Sequence, residues 1–345
     1  MEESPERFQT PPRTTLRKCF SVPIKTDMPR DVILSFSNEV IRTEEEGNLS
    51  DYIPTLDQRK LVPTHRYNGR EWIDCDLNCE LSISVDNPEL CCPTDISSLS
   101  FYTQNIWFKK KNMDERFKNI IQMIKESKAD FICLQEVIAP FFEKLVQDEY
   151  IRDRYYFSGN TIIDYGLLIL CKWPCYFYDY TYKNTWMDRG FLAAETVFNG
   201  QTFIVGTTHL ESLDNATKRK EQMEYIQTEI LKHKDAIFMG DLNFDFNWPD
   251  EGKNLDTKLF TDLWTELRDK NEEAFTMNGT TRFKPVVLDH VLLSNSSQFI
   301  PKYIKRVGNY CCRNFGRDLI NEIREDDVVR TPSDHLGLYS IISLN

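Results

Sequence analysis

The sequence predicts an α/β fold of two packed, mixed β-sheets with helices on the outside. Short apolar runs of strand length alternate with helix-like segments from about residue 99 onward. Pairs of strand-like runs lie between the helices, an order that fits neither a barrel nor a doubly wound sheet. At 345 residues the chain can bury a full core, and it contains no GxGxxG or P-loop motif.

The N-terminal region differs in composition from the rest. Residues 1–60 are rich in Pro, Thr, Arg and Glu with weak periodicity, and we expect a partly disordered tail. Residues 61–98 contain YNGREWIDCDL, which predicts a hairpin, and we expect this lead-in segment to pack on the main domain. Residues 99–345 then fit one domain.

Two segments of this domain have the periodicity of helices. Apolar residues recur at i, i+3, i+4 and i+7 in 114–127, and at comparable spacing in 216–234. Between them, residues 155–159 and 165–172 predict a strand pair.

Six strand-like runs each carry polar side chains near one end. In AIFMGDLNFD, residues 236–245, an apolar run stops at Gly240 and presents Asp241 and Asn243. Because side chains alternate along a strand, we expect these two to point the same way. The other runs carry Gln104 and Asn105, Gln135 and Glu136, His209, Glu211 and Ser212, Asp289 and His290, and Asp334 and His335. A turn explains one such stretch, but six indicate a common rim where polar groups converge.

Composition excludes several classes of protein. No apolar stretch approaches the roughly 18 residues that span a bilayer, and the N-terminus lacks the apolar core of a secretory signal. We therefore expect a soluble protein of the nucleus or cytoplasm, without a membrane partner. A net charge of −12 argues against a protein that reads DNA sequence through many phosphate contacts. It permits an enzyme that grips a few phosphates.

The ten cysteines predict free thiols rather than a zinc site. Cys133 and Cys171 lie inside apolar runs, where small buried hydrophobes are expected. The cysteine cluster at residues 75–92 lacks the paired CxxC or histidine ligands of structural zinc.

The polar groups of the rim are acids, amides and histidines, which suit attack of water on phosphorus beside a hard cation. Mg²⁺ binds one or two carboxylates and substrate phosphate, and Glu136 is the best candidate ligand. Asp241 is the candidate base, with Asn243 orienting the water. His335 is the candidate donor to a phosphate oxygen, held in one tautomer by Asp289. The absence of a GxSxG motif disfavours a serine hydrolase.

Six motifs occur in order over about 240 residues: TQNIWF, LQEV, THLES, GDLN, LDH and SDHLGL. This ordered set resembles the endonuclease/exonuclease/phosphatase superfamily, whose fold is a four-layer α/β sandwich. The resemblance implies that Asn105 and Glu136 belong to the metal network, supported by Asp334. It implies the same catalytic roles as above for Asp241, Asn243, Asp289 and His335.

Within the superfamily, the chain resembles the 5′-tyrosyl-DNA phosphodiesterases in LQEVIAPFFEKL, WMDRGFLAAE, THLESLDNATKRKEQ and SDHLGL. The resemblance implies a monomeric, Mg²⁺-dependent enzyme, with Mn²⁺ as a substitute, that removes tyrosyl or peptide adducts from DNA 5′ ends in repair. It further implies that Arg189, His209 and Ser212 bind the substrate near its phosphate. Tyr165 would offer an aromatic wall to a base.

Two positions depart from this pattern. Asp245 stands where the family tends to have Arg, and Met277 stands where an aromatic residue is expected. We therefore expect an intact catalytic set and an altered substrate groove. RNA adducts, an abasic-site endonuclease, an RNA deadenylase and an inactive binding scaffold stay open as alternatives.

Overall fold

The computed structural model describes residues 59–75, 96–162, 164–279, 284–308 and 331–345. Within these ranges the chain forms two mixed β-sheets that pack face to face, with helices on the outer faces. The predicted α/β sandwich is therefore confirmed. Most of the predicted disordered tail lies outside the described residues.

The first sheet has seven strands. Its order is β1 (Arg59–Val62), β8 (Tyr176–Thr181), β9 (Gly190–Phe198), β10 (Gln201–His209), β11 (Asp235–Asp241), β13 (Asp289–Ser294) and β12 (Phe260–Asp262). Neighbours are antiparallel except β10 and β11, which are parallel. Both of these central strands therefore end at the same edge of the sheet.

The second sheet has eight strands and a similar plan. Its order is β14 (Phe299–Val307), β15 (Gly337–Leu344), β4 (Ser98–Asn105), β5 (Phe131–Val137), β7 (Gly166–Cys171), β6 (Tyr156–Ser158), β2 (Thr64–Tyr67) and β3 (Trp72–Asp74). Here β4 and β5 are the parallel pair. Each sheet thus has one pair of strands whose carboxyl ends are neighbours, which is where polar groups of the loops converge.

Helices connect the parallel strands. Helix α1 (Met113–Ser127) joins β4 to β5, and α4 (Ala216–Tyr225) joins β10 to β11. The others are α2 (Ala139–Gln147), α3 (Glu149–Arg152) and α5 (Leu263–Leu267). Among the described residues, no helix combines the length and apolarity needed to cross a bilayer.

Helix α1 matches its prediction closely, because the apolar stripe of Phe117, Ile120 and Ile124 is fully buried. The second predicted helix, 216–234, is shorter than expected. A π-helical turn at Ile226–Ile230 follows α4, and the chain then leaves the helix. The wider turn lets neighbouring apolar residues pack on the same sheet face.

The core has three layers. Between the sheets lie residues of both, including Phe101, Phe131, Phe203 and Val291. A second cluster lies between the eight-stranded sheet and α1 and α2, and a third lies between the seven-stranded sheet and α4. The buried residues of the third cluster fix α4, and with it the loop that follows β10.

The described part of the lead-in segment belongs to the sheets themselves. Residues 59–62 form the edge strand β1, while β2 and β3 form a hairpin whose turn contains Gly69 at φ 93°. The predicted hairpin and the predicted strand pair, now β6 and β7, are both observed. The domain boundaries near residues 60 and 98 stay predictions.

The described cysteines agree with their prediction. Cys133 and Cys171 are buried, and no disulfide joins the four described cysteines, which include Cys75 and Cys175. The rest of the predicted N-terminal cysteine cluster, Cys79, Cys91 and Cys92, lies outside the described residues.

A buried ion pair fastens α5 to the seven-stranded sheet. Asp262 accepts the backbone N–H of Thr265 at 3.1 Å as the N-cap of α5, and its carboxylate lies 3.4 Å from Nδ1 of His290. Burial opposes the charge of His290, but the Asp262 carboxylate raises the pKa of this imidazole above its ordinary value. Although burial has the opposite effect, His290 in turn lowers the pKa of Asp262. His290 is therefore structural and does not face the rim, contrary to the sequence expectation.

We predict that His290→Gln lowers the free energy of unfolding by about 3 kcal/mol, because it leaves a buried carboxylate without its cation. Because folding raises the pKa of His290, the loss of stability in the variant is complete below the unfolded pKa of about 6.5. This loss becomes smaller as pH rises through the folded pKa of His290. Because folding lowers the pKa of Asp262, the loss of stability also becomes smaller as pH falls through the folded pKa of Asp262. Urea unfolding across pH measures both trends. The exposed His233→Gln is the control, and a difference that grows above neutral pH contradicts the assignment.

Candidate active site

The carboxylate of Asp241 lies at the end of β11 and is 1% exposed. Its Oδ2 accepts a hydrogen bond from Nδ2 of Asn105 at 3.0 Å and lies 3.3 Å from Nε2 of His209. Nε2 of His335 lies 3.7 Å from the same oxygen. Its Oδ1 accepts the backbone N–H of Asn243 at 2.9 Å. Three side chains from distant parts of the chain and one neighbouring backbone N–H thus converge on one acid.

The strand register produces this convergence. His209 of β10 lies opposite Asp241, which in turn lies opposite Asp289 of β13. The approach of β10 and β11 needs Gly240, whose φ is 144°. A Cβ at this position would lie 2.1 Å from the carbonyl oxygen of Thr208. Only glycine allows the two strands to meet so closely at their ends.

Asn243 reaches the site by a turn. Strand β11 ends at Asp241, and Asn243 has a left-handed φ of 57°. Its backbone N–H contacts the Asp241 carboxylate, and its Nδ2 donates to the carbonyl of Leu210 at 3.0 Å. The expectation that strand alternation aligns the two side chains was therefore wrong in its reason, although the two residues are in contact.

His335 and Asp289 form a buried pair beside Asp241. Nδ1 of His335 donates to Oδ2 of Asp289 at 2.8 Å, because a carboxylate only accepts. Burial opposes a charged imidazole, but Asp289 and Asp241 raise the pKa of His335 well above its ordinary value. The imidazole is therefore held as a cation with Nε2 directed toward Asp241.

Glu136 and Asp334 lie together at the more open side of the site. Glu136 has a left-handed φ of 55°, and its Oε2 accepts the backbone N–H of Phe108 at 2.9 Å. Burial raises the pKa of Glu136, and burial together with the Glu136 carboxylate raises the pKa of Asp334 to about 6. The charge of His335, joined at Asp334 by that of Arg116, only partly offsets these shifts. Carboxylate oxygens are the ligands that a hard cation prefers.

A second acidic group also has the composition of a metal site. Asp241, Asp289 and His335 place their candidate ligand atoms within 4.8 Å of one another. Hydrogen bonds within the protein already use Oδ2 of both acids and Nδ1 of the histidine. Glu136 with Asp334 is therefore the better cation site, and the buried trio is better suited to proton handling.

His209 is neutral, and its hydrogen is fixed by Arg189. A guanidinium always donates, so Nδ1 of His209 accepts from Nη1 of Arg189 at 2.8 Å. Burial and the charge of Arg189 lower the pKa of His209 well below its ordinary value. Nε2 therefore carries the hydrogen and faces Asp241 at 3.3 Å.

An aromatic wall continues outward from Arg189. Its guanidinium lies 5.3 Å from the ring centroid of Tyr165, which stacks on Phe108 at 5.1 Å with an interplanar angle of 12°. Ser212 is close to this wall through Met187, whose sulfur contacts Oγ of Ser212 and Nη2 of Arg189. All the sequence-predicted site residues thus lie at one end of the sandwich.

The supporting roles of two residues escaped the sequence prediction. Glu211 is fully buried and accepts from Oγ1 of Thr185 at 2.9 Å and from the backbone N–H of Trp186 at 2.8 Å, which holds the loop before Arg189. Buried Arg116 donates to loop carbonyls at residues 106–111. The sequence feature that could have indicated this role is the position of Arg116 next to the apolar stripe of α1.

Gln135, a rim candidate, and the two positions that depart from the family pattern make structural contacts. Gln135 turns between the sheets and donates to Oγ1 of Thr207 at 2.8 Å. Asp245, the departure noted in the sequence, is 9% exposed and accepts the backbone N–H of Asn247 at 2.8 Å. Met277 makes strand-like bridges to Val286 and His335.

The sequence profile of the Endonuclease/Exonuclease/phosphatase family matches residues 102–335. The chain belongs to this family. That segment contains every residue of the site described above. The predicted family and the predicted class of enzyme, a metal-dependent phosphodiesterase hydrolase, are thereby confirmed.

Relatives within the family have similar sequences. Tyrosyl-DNA phosphodiesterase 2 of Xenopus laevis is 26% identical over 350 residues, covering 93% of this chain and 87% of the relative. Tyrosyl-DNA phosphodiesterase 2 of Mus musculus is 25% identical over 269 residues, covering 72% of this chain and 67% of the relative.

Solved structures share the fold. D. rerio TDP2 complexed with single strand DNA product has a TM-score of 0.55 at 21% identity, covering 72% of this chain and 99% of the other. The mannosyl-6-phosphatase Bt3783 of Bacteroides thetaiotaomicron has a TM-score of 0.53 at 17% identity, covering 71% and 100%. The Endonuclease/Exonuclease/phosphatase fold therefore extends over most of this chain.

We predict that Gly240→Ala destabilises the protein by more than about 3 kcal/mol. The added Cβ would collide with a strand carbonyl, and the φ at this position is unfavourable for alanine. Gly200→Ala is the matched control: its φ is 79° but no atom lies within 4 Å of the added carbon. It should cost only about 1 kcal/mol. Chemical unfolding measures both, and equal losses would show that steric contact at Gly240 is unimportant.

Proposed function

We propose that this chain is a Mg²⁺-dependent phosphodiesterase that hydrolyses the phosphotyrosyl bond at DNA 5′ ends during DNA repair. The observation that carries the proposal is the meeting of Asp241, His335 and the Glu136–Asp334 pair at one mouth. Similarity to tyrosyl-DNA phosphodiesterase 2 over most of the chain supports the substrate. D. rerio TDP2 adds support, because that protein has a similar fold and is complexed with single strand DNA product.

Asp241 is the proposed base that accepts a proton from the attacking water. Burial raises its pKa to about 6, and a base with a pKa near the working pH is effective. Asn105 and Asn243 hold the carboxylate in one orientation through hydrogen bonds to different oxygens. The water would therefore meet a fixed acceptor.

His335 is the proposed donor to the phosphoryl oxygens. Its pairing with Asp289 keeps the imidazole charged and oriented, so that it stabilises negative charge without reorganising. A tyrosine leaving group has a parent pKa of about 10, and it departs with less protonation than a sugar alkoxide requires.

Glu136 and Asp334 are the proposed ligands of the cation. Their carboxylate oxygens suit Mg²⁺, and Mn²⁺ accepts the same type of ligand. A bound cation would polarise a phosphoryl oxygen as a Lewis acid. The Phe108 N–H fixes the direction of Glu136 before any cation arrives.

Arg189, His209 and Ser212 are the proposed contacts of the substrate near its phosphate, and Tyr165 is the proposed surface for a base. Arg189 is 6% exposed and already oriented by His209 and Tyr165, so it is pre-organised for an anion. We also propose that the protein acts as a monomer in the nucleus or cytoplasm.

We predict that Asp241→Asn and Glu136→Gln each lower kcat by at least about a hundredfold, through loss of a base and of a cation ligand. Turnover of a 5′-tyrosyl oligonucleotide with Mg²⁺ measures the effect. Asp250→Asn and Glu224→Gln remove exposed carboxylates and should behave as wild type. Near-normal turnover in either site variant would refute the assignment of roles.

The same assay separates the alternative substrates. A panel of 5′-tyrosyl DNA, 5′-tyrosyl RNA, abasic duplex and poly(A) is tested with and without Mg²⁺. Preference for tyrosyl DNA supports the proposal. Preference for abasic duplex or poly(A) supports an endonuclease or a deadenylase, and no turnover of any phosphoester supports an inactive scaffold.

We predict that Arg189→Ala raises KM by roughly tenfold or more with a smaller change in kcat, because a pre-oriented charge that binds phosphate is lost. Arg189→Lys keeps the charge but not the planar fork, and it should fall between wild type and alanine. Steady-state kinetics on the tyrosyl oligonucleotide measure the split. A collapsed kcat with unchanged KM would instead place Arg189 in the chemical step.

A further inference from the structure

The loop after β4, residues 107–111, is a basic and aromatic segment beside the cation site. Its sequence is Trp-Phe-Lys-Lys-Lys in a chain whose net charge is −12. All three lysines are exposed, and Phe108 keeps 36% of its surface accessible. The backbone N–H of Phe108 contacts Glu136, so the three lysines follow directly after a residue that touches the site.

The buried side chain of Arg116 fixes the backbone of this loop. Nε of buried Arg116 donates to the carbonyl of Lys111 at 2.8 Å, and Nη1 donates to Ile106 at 3.0 Å. Nη2 donates to the carbonyls of Trp107 and Lys109. One guanidinium thus binds three carbonyls of the loop and the carbonyl of Ile106 before it, which fixes the loop backbone while its lysine side chains stay exposed.

Lys109 and Lys110 are not neutralised by the acids in the described part of the chain. Within the described residues, no carboxylate forms an ion pair with Lys109 or Lys110. Asp114, the next acid along the chain, pairs with Lys144 at 3.1 Å. The Lys109 ammonium instead lies over the Phe108 ring, 5.1 Å from its centroid.

We propose that residues 107–111 form a subsite for the single-stranded nucleic acid next to the cleaved phosphate. The inference rests on the proposed function, because it assigns a binding site to the strand whose 5′ end is processed. Exposed lysines track phosphates, and a partly exposed aromatic ring stacks a base without reading its identity. The stack of Phe108 on Tyr165 makes that surface continuous with Arg189.

The test compares a substrate with one nucleotide and a substrate with about 10 nucleotides. Lys109→Ala combined with Lys110→Ala should raise KM for the 5′-tyrosyl oligonucleotide about tenfold at low salt. The change on p-nitrophenyl thymidine 5′-phosphate should be less than about twofold, because that substrate has no further phosphate. The control is Lys232→Ala combined with Lys234→Ala, which removes the same charge at the other end of β11. It should leave KM for both substrates unchanged.

Binding of a 5′-phosphorylated oligonucleotide, measured by fluorescence anisotropy, tests the subsite without turnover. The double variant should reduce the slope of log affinity against log salt by about 1.4 for two lysines. Phe108→Ala should weaken binding at least about fivefold. If the wild type binds the oligonucleotide in this way but cleaves no tyrosyl substrate, the subsite stands and the proposed reaction fails.

Three results would overturn the subsite. The first is equal oligonucleotide affinity and KM in the lysine variant and the wild type. The second is an equal loss on the mononucleotide, which would mean that the lysines act through the catalytic groups. The third is a loss seen only with an acidic tyrosyl peptide on one nucleotide, which would assign the loop to the protein part of the adduct.

Discussion

Burial of the Asp241 carboxylate is the constraint on which the rest of the site depends. A carboxylate removed from water must be compensated by hydrogen bonds or cations. Asn105 of the eight-stranded sheet and His209 of the seven-stranded sheet both contribute, as does the backbone of Asn243. The site therefore exists only when the two sheets are packed, which ties its assembly to the core between them.

Solvent exposure differs between the two parts of the site. The deep part, with Asp241, Asp289 and His335, is almost dry. Burial and neighbouring charges set the pKa values of Asp241 and His335. Glu136 and Asp334 are nearer to solvent, where a hydrated cation and a phosphate can enter. The proposed proton transfer and the proposed binding of cation and phosphate thus occupy adjoining but different environments.

The sequence predicted the sandwich, helix α1 and the hairpin at Gly69. These succeed because periodicity and turn chemistry are local properties. It did not predict that His290 pairs with Asp262, that Gln135 turns between the sheets, or that Asn243 follows a turn. Those outcomes depend on which distant atoms become neighbours after packing, information that no short window of residues contains.

The close approach of β10 and β11 at Gly240 has a consequence for the gene. Every change at the first or second base of a glycine codon introduces a side chain or a stop, and any side chain here would collide with the Thr208 carbonyl. Only the third base is free to drift. Because of a single backbone contact between two strands, the codon that precedes that of Asp241 tolerates only silent substitutions.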